Sequence, residues 1–333
     1  MRVSIEAGRE LVRQCFTAQG YSEADASVIA DQIIDIELRG AHFGGFSRAL
    51  SLCEMAAERG LTREAPAIVR ETDALIHLDG GGNIGYTVAR KVTLAAIQKA
   101  KAIGVGIGAA YNTFFTGQYA HYVEMATKEN LVAIAFGSSG AWVAPHGTTE
   151  AKMGANPFAI GIPTLGDPVI VDIGTSAAMV GDLRLAARTG KPLPPGVAFD
   201  KCGLSTTDAL EALEGGAIAS WGGHKGSGIA ITLQMLGLMI GASGLPRNDR
   251  NCGYLVILLD PERFGDCDSF LKAVEEYGAA VTASVAGSSG NVRLPFSRSA
   301  RERRERERLG YFDVPDGIYE QMTAIAAAVP KKL

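Results

Sequence analysis

The 333-residue sequence predicts an α/β protein with a helical N-terminal lobe. Residues 4–60 carry apolar side chains at helical spacing, with Ser22 as a helix-capping residue and Gly40 as a helix stop. From about residue 65 the pattern changes to short β-branched runs, which are typical of strands. The chain is long enough for two lobes. We expect a helical lobe over 1–68, joined by a C-terminal helical tail over 297–333, and a mixed α/β domain over 69–296 with helical segments in 176–250.

The α/β part begins with a strand, a glycine-rich turn and a long helix. GGGNIGYTVARKVTLAAIQKAKAIG contains the turn and the helix, and VGIGAAYN follows as a strand, so the segment predicts a β-turn-α-β unit. LVAIAFGSS, PFAIGIPT, PVIVDIGTS and NCGYLVILLDPERF are further strands. GHKGSGIAITLQMLGLMIGAS is apolar nearly all round, which predicts a buried helix. SARERRERERLG predicts a solvated helix held by pairs of opposite charge one turn apart.

Composition excludes several classes of protein. A net charge of −4 provides no basic surface for nucleic acid or an anionic membrane. No apolar run reaches the length of a membrane span, and the N-terminal residues lack the apolar core of a signal peptide. The five cysteines are scattered and lack CxxC spacing, so neither a disulfide framework nor a zinc site is expected. We therefore expect a cytoplasmic protein without a metal, a nucleic-acid partner or a membrane partner.

Three clusters of small and hydroxyl residues stand where strands end or helices begin: GANPFAIGIP, VDIGTS and WGGHKGSG. Backbone N–H groups at such places can bind phosphate and ribose, and Lys225 adds a point charge. Each cluster alone is also compatible with a plain turn. The earlier run GGGNIG does not match GxGxxG, and no acidic residue closes a second strand about 20 residues later, so an ordinary Rossmann site is not supported.

Seven blocks appear in the order of one known pattern: DGGGNIG, EAKMGANPFAIGIP, VDIGTSAAMVGDLRLAARTGKPLPPGVAFDKCG, TTDALEAL, GGHKGSGIAI, GYLVILLDPERF and RLP. Together they resemble the type 2 malate/L-lactate dehydrogenases, the sulfolactate-dehydrogenase-like oxidoreductases, over nearly the whole chain. The resemblance implies a non-Rossmann, mixed-sheet NAD(P)-binding domain in a homodimer. It also implies NAD or NADP as cofactor and a small-molecule carboxylate as substrate.

The resemblance further implies cofactor contacts at the positions that match the family's motifs. These positions are Ser138, Ser139, Asn156, Asp172, Gly174, Thr175, Ser176, His224 and Lys225. Each of them also has an alternative, structural interpretation; for example, Asp172 could cap a turn and His224 could be a surface imidazole.

The two short motifs that form the family's substrate site differ here. RGAHFGGFSR keeps Arg48, whose planar guanidinium can bind a carboxylate, but Phe43 and Gly44 replace the expected Ser-His pair. In the loop YNTFFTGQYAHY, Phe115 stands where the family's acid–base histidine is expected; a shift of one residue puts Phe114 there instead. Because a phenyl ring transfers no proton, the usual proton donor is missing.

Reduction of a ketone needs such a donor, which contributes roughly 10²–10⁴-fold in rate, and three explanations stay open. In the first, a nearby group replaces the histidine; the candidates are His42, His121, Tyr119, Tyr122 and Lys152. Alternatively, the substrate is a protonated cyclic imine, which accepts hydride directly inside an apolar pocket. Finally, the chain binds nucleotide without redox turnover, or uses tightly bound NAD for a non-redox isomerisation or elimination.

The sequence therefore predicts an NAD(P)H-dependent oxidoreductase acting on a small carboxylate at a 2-oxo, 2-hydroxy or cyclic 2-imino carbon. We expect an apolar group on the substrate, because phenylalanines take the positions of the polar residues. The predicted catalytic-site residues are His42, Arg48, Phe115 and His121.

Overall fold

The structure, a computed structural model, describes residues 1–59, 64–245, 250–283 and 292–328. The helices are α1 (Ile5–Ala18), α2 (Glu23–Leu38), α3 (Phe46–Arg59), α4 (Gly85–Ile103), α5 (Tyr119–Thr127), α6 (Val180–Thr189), α7 (Ala209–Leu213), α8 (His224–Met239), α9 (Cys267–Thr282), α10 (Ser297–Leu309) and α11 (Asp316–Ala327). The strands are β1 (Arg2–Ser4), β2 (Ala67–Glu71), β3 (Leu75–Asp79), β4 (Val105–Thr113), β5 (Val132–Gly137), β6 (Val143–Ala144), β7 (Phe158–Ile162), β8 (Val169–Ile173), β9 (Ala198–Phe199), β10 (Ser205–Thr206), β11 (Ala217–Ala219), β12 (Cys252–Leu259) and β13 (Tyr311–Asp313).

The central sheet has seven strands in the order β2-β3-β4-β12-β5-β7-β8. β3 and β4 are parallel and joined by α4, which confirms the predicted β-turn-α-β unit. All other neighbouring strands in this sheet are antiparallel. The sheet is therefore mixed, as the fold class predicts. Two smaller sheets pair β10-β9-β11-β6 and β1-β13.

Helices cover both faces of the central sheet. On one face α4 and α5 pack against β12, where Tyr254 and Val256 belong to a buried cluster with Val92 and Tyr122. On the other face α8 packs against β5 and β12 through a cluster that contains Leu233. β12 is buried because it lies in the middle of the sheet, between β4 and β5.

The first three helices pack together with α11 around a separate apolar cluster. Ser22 caps α2, since its hydroxyl accepts a hydrogen bond from the backbone N–H of Asp25, and Gly40 follows α2 in a left-handed conformation, both as predicted. The same cluster includes Tyr86 and Phe114, so it extends to the start of α4 and the loop after β4. The proposed domain boundaries stay a prediction, and residues 329–333 of the proposed tail lie outside the described residues.

The charged helix α10 is not solvated all round, and the prediction was wrong for one face. Arg303 on that face lies 3.1 Å from a carboxylate oxygen of Asp35 and 3.3 Å from one of Glu124. Arg39, whose side chain is buried, lies 2.8 Å from an oxygen of each of the same two carboxylates. Four charged residues therefore join α2, α5 and α10.

The prediction that α8 is buried was also wrong for one face. Met235 and Met239 are 62% and 67% exposed, and Leu238 lies beside them on the surface of the single chain. When apolar residues lie on all sides of a helix, the sequence does not show which face the rest of the chain covers. Separately, no helix among the described residues is long and apolar enough to cross a bilayer.

β4 approaches α4 closely because glycines on the strand have no Cβ. A Cβ at Gly106 would lie 1.9 Å from the carbonyl oxygen of Ala96 and 2.8 Å from the backbone nitrogen of Ala100. These are backbone atoms, so they cannot rotate away as a side chain would. The helix and strand must separate before residue 106 can carry a side chain.

We expect Gly106→Ala to destabilise the protein by about 1–3 kcal/mol or more, since overpacking a buried contact costs about that much. Urea unfolding measures the change. Gly166→Ala is the matched control, because a Cβ there meets no atom within 4 Å. Equal stability of the two variants would contradict the close packing of β4 on α4.

Candidate active site

A cavity of about 240 Å³ lies between α2 and α3, the loop after β4, and the ends of β5 and β8. Its lining is mostly apolar and includes Ile36, Phe43, Trp142 and Met179. The predicted site residues that line it are Arg48, Phe115, Ser138, Ser139, Asp172 and Gly174. The structure thus brings together parts of both predicted sets, the catalytic and the cofactor-binding residues.

The two adjacent phenylalanines of the loop point to different surroundings. Phe114 is buried in the apolar cluster of the N-terminal helices, whereas Phe115 lines the cavity. Phe115 has a φ of 46°, a left-handed conformation that is unusual for a bulky residue and costs about 1–3 kcal/mol. Its ring lies 3.9 Å below the guanidinium carbon of Arg48. Phe115 therefore makes a cation–π contact with Arg48, the cation of the cavity.

Arg48 is held at the cavity by the start of α3. The buried carboxylate of Glu37 accepts a hydrogen bond of 2.8 Å from the backbone N–H of Phe46, the first residue of the helix. Gly181 on α6 makes room for the side chain, because a Cβ there would lie 2.8 Å from Arg48 Nη2. Arg48 is only 6% exposed, so a carboxylate that reaches it leaves bulk water.

His42 does not line the cavity. Its Nδ1 bonds to the carboxylate of Glu37, and this hydrogen bond raises the pKa of the imidazole. About half of its side chain is exposed. The His42 imidazole therefore bonds to the same carboxylate that positions the start of α3.

His121 is also absent from the lining of the cavity. It lies on α5, with Nδ1 3.6 Å from a carboxylate oxygen of Asp35 and its ring packed edge-on against Tyr122. Tyr119, a third candidate donor, does line the cavity, and its hydroxyl lies 3.0 Å from Thr116 Oγ1. Burial raises the pKa of Tyr119.

Asp172 is a half-buried carboxyl with a raised pKa. Its Oδ2 accepts a hydrogen bond of 2.7 Å from the backbone N–H of Ala120, so it caps the N-terminus of α5. Burial raises the pKa of Asp172 to about 6, although the backbone hydrogen bonds from Ala120 and Tyr119 lower it. Among the described lining residues it is the one carboxyl. It can therefore exchange a proton near neutral pH.

Ser138, Ser139 and Asn156 connect the strand ends to α8. Ser138 Oγ accepts a hydrogen bond from the backbone N–H of Gly253. The amide of Asn156 accepts one from the backbone N–H of Ser139 and donates one of 2.7 Å to the carbonyl of Ala230. Asn156 is fully buried. The side chain of Asn156 thus fixes the position of Ser139, and Gly253 that of Ser138. Both serines line the cavity, whereas Asn156 does not.

The remaining predicted cofactor residues form a neighbouring cluster outside the cavity lining. The backbone N–H of Trp221 donates to the carbonyl of Thr175, and Ser176 pairs with Ser220, so the VDIGTS and GGHKG motifs are adjacent. α8 begins at His224, followed by Lys225. Gly222 and Gly223, before the helix, have φ values of 61° and 59°. A Cβ on Gly222 would meet no atom within 4 Å, so there is open space above this turn.

The polar residues of the cavity that sequence reasoning missed include Tyr86 and Gln118. Tyr86 follows the glycine-rich run and packs its ring edge-on against Phe115, with centroids 5.9 Å apart. Gln118 follows Gly117 in the loop after β4. No sequence pattern marks either one, because their importance depends on which side chains surround them. No group of three possible metal ligands occurs among the described residues.

The chain is similar to known proteins in both sequence and structure. A family model described as malate/L-lactate dehydrogenase matches residues 3–323. The chain is 32% identical to the malate/(S)-sulfolactate dehydrogenase of Methanothermus fervidus, over 98% of this chain and 97% of that protein. It is 31% identical to the Δ1-pyrroline-2-carboxylate reductase of Ancylobacter novellus, over 98% and 97%. The solved structure of sulfolactate dehydrogenase from Methanocaldococcus jannaschii matches with a TM-score of 0.86 at 28% identity, over 99% of this chain and 97% of that one.

We expect Asp172→Asn to remove a pH dependence of stability. Because the folded-state pKa is raised to about 6, the carboxyl stabilises the fold below about pH 4, and this contribution is lost as pH rises through 6. The variant keeps the capping oxygen and does not titrate. Between about pH 4 and pH 7 the free energy of unfolding of the wild type should fall by roughly 2 kcal/mol relative to the variant.

Urea unfolding at the two pH values measures this difference. Asp73→Asn, at an exposed position, is the control and should follow the wild type. If Asp172→Asn and the wild type changed in parallel with pH, the carboxyl would have an ordinary pKa.

Proposed function

The chain belongs to the malate/L-lactate dehydrogenase family, and from this premise we propose an NAD(P)H-dependent reductase of a small monocarboxylate, with a cyclic 2-imino acid as the favoured substrate class. The relatives named above are dehydrogenases and reductases, and the chain is an oxidoreductase. One observation carries the proposal: the guanidinium of Arg48 lies over the ring of Phe115 in a mostly apolar cavity.

Charge in the cavity favours a substrate with one carboxylate. Arg48 is the one cation among the described lining residues, and Asp172 is an acid in the same lining. Malate and sulfolactate each carry a second anionic group, which would enter an apolar region without a cation to pair with. Burial of an unpaired charge is strongly unfavourable. A monocarboxylate with an apolar remainder fits the surroundings of Phe43 and Met179.

The proton requirement favours an imine over a ketone. No imidazole occurs among the described residues that line the cavity. A protonated imine, C=N–H⁺, becomes an amine when hydride adds to carbon, because the C=N electron pair moves to nitrogen and no further proton is needed. A ketone becomes an alkoxide in the same step and needs an acid.

Asp172 supports the same substrate class. As a carboxylate it stabilises an iminium cation, and its pKa of about 6 keeps a small protonated fraction at neutral pH. That fraction can protonate an imine before reduction.

The residues around α8 fit a nicotinamide dinucleotide. The cofactor supplies the hydride when it is bound. The first turn of α8 follows the open space at Gly222 and contains the exposed Lys225, and backbone N–H groups at a helix start together with a cation are suited to phosphate. Thr175 and Ser176 lie beside this turn, and Gly174, which precedes them in the chain, lines the cavity, as does Ser138. We propose that these residues hold NAD or NADP.

We further propose a homodimer in the cytoplasm. The exposed methionines Met235 and Met239 on α8 form an apolar face that a second copy would cover. No disulfide joins the cysteines of the described residues, which agrees with a reducing compartment.

A substrate panel tests the proposed function. NADH and NADPH consumption is measured with 1-pyrroline-2-carboxylate, 1-piperideine-2-carboxylate, pyruvate, oxaloacetate and sulfopyruvate. We expect the largest kcat/KM with a cyclic imino acid and the smallest with the two dianions. A dianion as the best substrate would contradict the single-cation cavity. Cofactor binding without turnover of any substrate would indicate that the protein binds nucleotide but does not catalyse the proposed reaction.

The variant Arg48→Ala, measured with the same substrates, tests whether Arg48 binds the carboxylate. It should raise KM for the best substrate roughly 10–100-fold, because hydrogen bonds to charged groups contribute about 1.5–3 kcal/mol, with little change in cofactor affinity. Arg90→Ala, on the exposed side of α4, is the matched control. An unchanged KM in Arg48→Ala would remove the carboxylate assignment.

A further inference from the structure

Two buried polar atoms at the cavity have no hydrogen-bond partner among the described residues. They are Tyr86 Oη and Gln118 Oε1, and both residues line the cavity. Other polar groups of the same loop are paired: Thr116 Oγ1 lies 3.0 Å from Tyr119 Oη, and Tyr122 Oη donates to the carbonyl of Thr116. A buried polar atom without a partner costs free energy, so a ligand that pairs with it is favoured.

Tyr86 provides a rigid hydrogen-bond donor near Arg48. It is fully buried, and its ring packs against Phe115, which supports the Arg48 guanidinium. Gly117 closes over the ring, since a Cβ there would lie 2.1 Å from Tyr86 Cε1. Burial raises the pKa of Tyr86, and Arg48 lowers it by less. The hydroxyl therefore keeps its proton at neutral pH and can donate to an anion that Arg48 holds.

Gln118 provides an acceptor because another residue caps the helix in its place. Gln118 is the N-cap residue of α5, yet its side chain makes no capping hydrogen bond. Asp172 accepts from the backbone N–H of Ala120 instead. Thus the amide of Gln118 stays at the cavity, with Oε1 buried.

We propose that Tyr86 and Gln118 determine substrate specificity, with Tyr86 Oη donating to the carboxylate held by Arg48 and Gln118 Oε1 accepting from an N–H on the substrate ring. The assignment rests on the proposed function. A cyclic imino acid in its protonated form, and the amine made from it, both carry that N–H. A 2-oxo acid carries a ketone oxygen there, which would leave the buried acceptor unpaired. A site that leaves a buried hydrogen-bonding group unpaired discriminates strongly against the substrate that does so.

Two probes of nearly equal shape separate these roles without any turnover. Pyrrole-2-carboxylate has a ring N–H, and furan-2-carboxylate has a ring oxygen in its place. Their affinities are measured by calorimetry on the full-length protein with NAD⁺ or NADP⁺ present. We expect the wild type to prefer the pyrrole about tenfold, a typical effect of one buried hydrogen bond.

The variants should change this preference in different ways. Gln118→Met should abolish it, and Gln118→Glu, which keeps an acceptor oxygen, should retain it. Tyr86→Phe should weaken both probes by a similar factor of about ten and leave the preference intact. Thr17→Val is the control, because Thr17 Oγ1 is also buried without a partner but does not line the cavity.

A preference that survives in Gln118→Met, its absence in the wild type, failure of both probes to bind, or unchanged affinities in Tyr86→Phe would each overturn the assignment. Thermal unfolding of every variant shows whether it is folded. If the substrate panel shows no redox turnover while the probe preferences follow this pattern, the proposed reaction fails and the recognition by Tyr86 and Gln118 stands.

Discussion

The contact between Arg48 and Phe115 determines the form of the site. The guanidinium carbon lies 3.9 Å from the ring centroid, and this contact joins α3 of the N-terminal helices to the loop after β4. Phe115 reaches this position through a left-handed backbone conformation that an aromatic residue adopts only at a free-energy cost. The ring takes up the space of a polar side chain and keeps water from the cation. The phenylalanine at the position of the expected histidine therefore also shields the guanidinium that we propose binds the substrate's carboxylate.

Four other charged residues of the region are paired with one another and do not line the cavity. Arg39 and Arg303 bind Asp35 and Glu124 where α2, α5 and α10 meet. This leaves Arg48 and Asp172 as the charged groups among the described lining residues. In a mostly apolar cavity one cation and one acid with a raised pKa act strongly on a small substrate, because little water screens them. The site is thus suited to one carboxylate and one nitrogen that gains or loses a proton.

The sequence predicted the elements whose pattern is local, and it could not predict features that depend on neighbours from distant segments. The unit β3–α4–β4 and the buried strand β12 follow from apolar periodicity. In contrast, nothing in FFTG shows that Phe114 enters the core while Phe115 lines the cavity, since that depends on one left-handed residue. The raised pKa of Asp172 needs burial that several segments create together. The lack of a hydrogen-bond partner for Tyr86 Oη and Gln118 Oε1 among the described residues also depends on several segments together.

We propose that Arg48, supported by Phe115, holds the substrate's carboxylate with the reacting carbon in the apolar cavity. A crystal structure with cofactor and pyrrole-2-carboxylate bound shows whether it does. We expect both carboxylate oxygens within hydrogen-bond distance of Arg48 and the ring between Phe43 and Met179. A carboxylate bound by another cation, or an analogue outside this cavity, would contradict it.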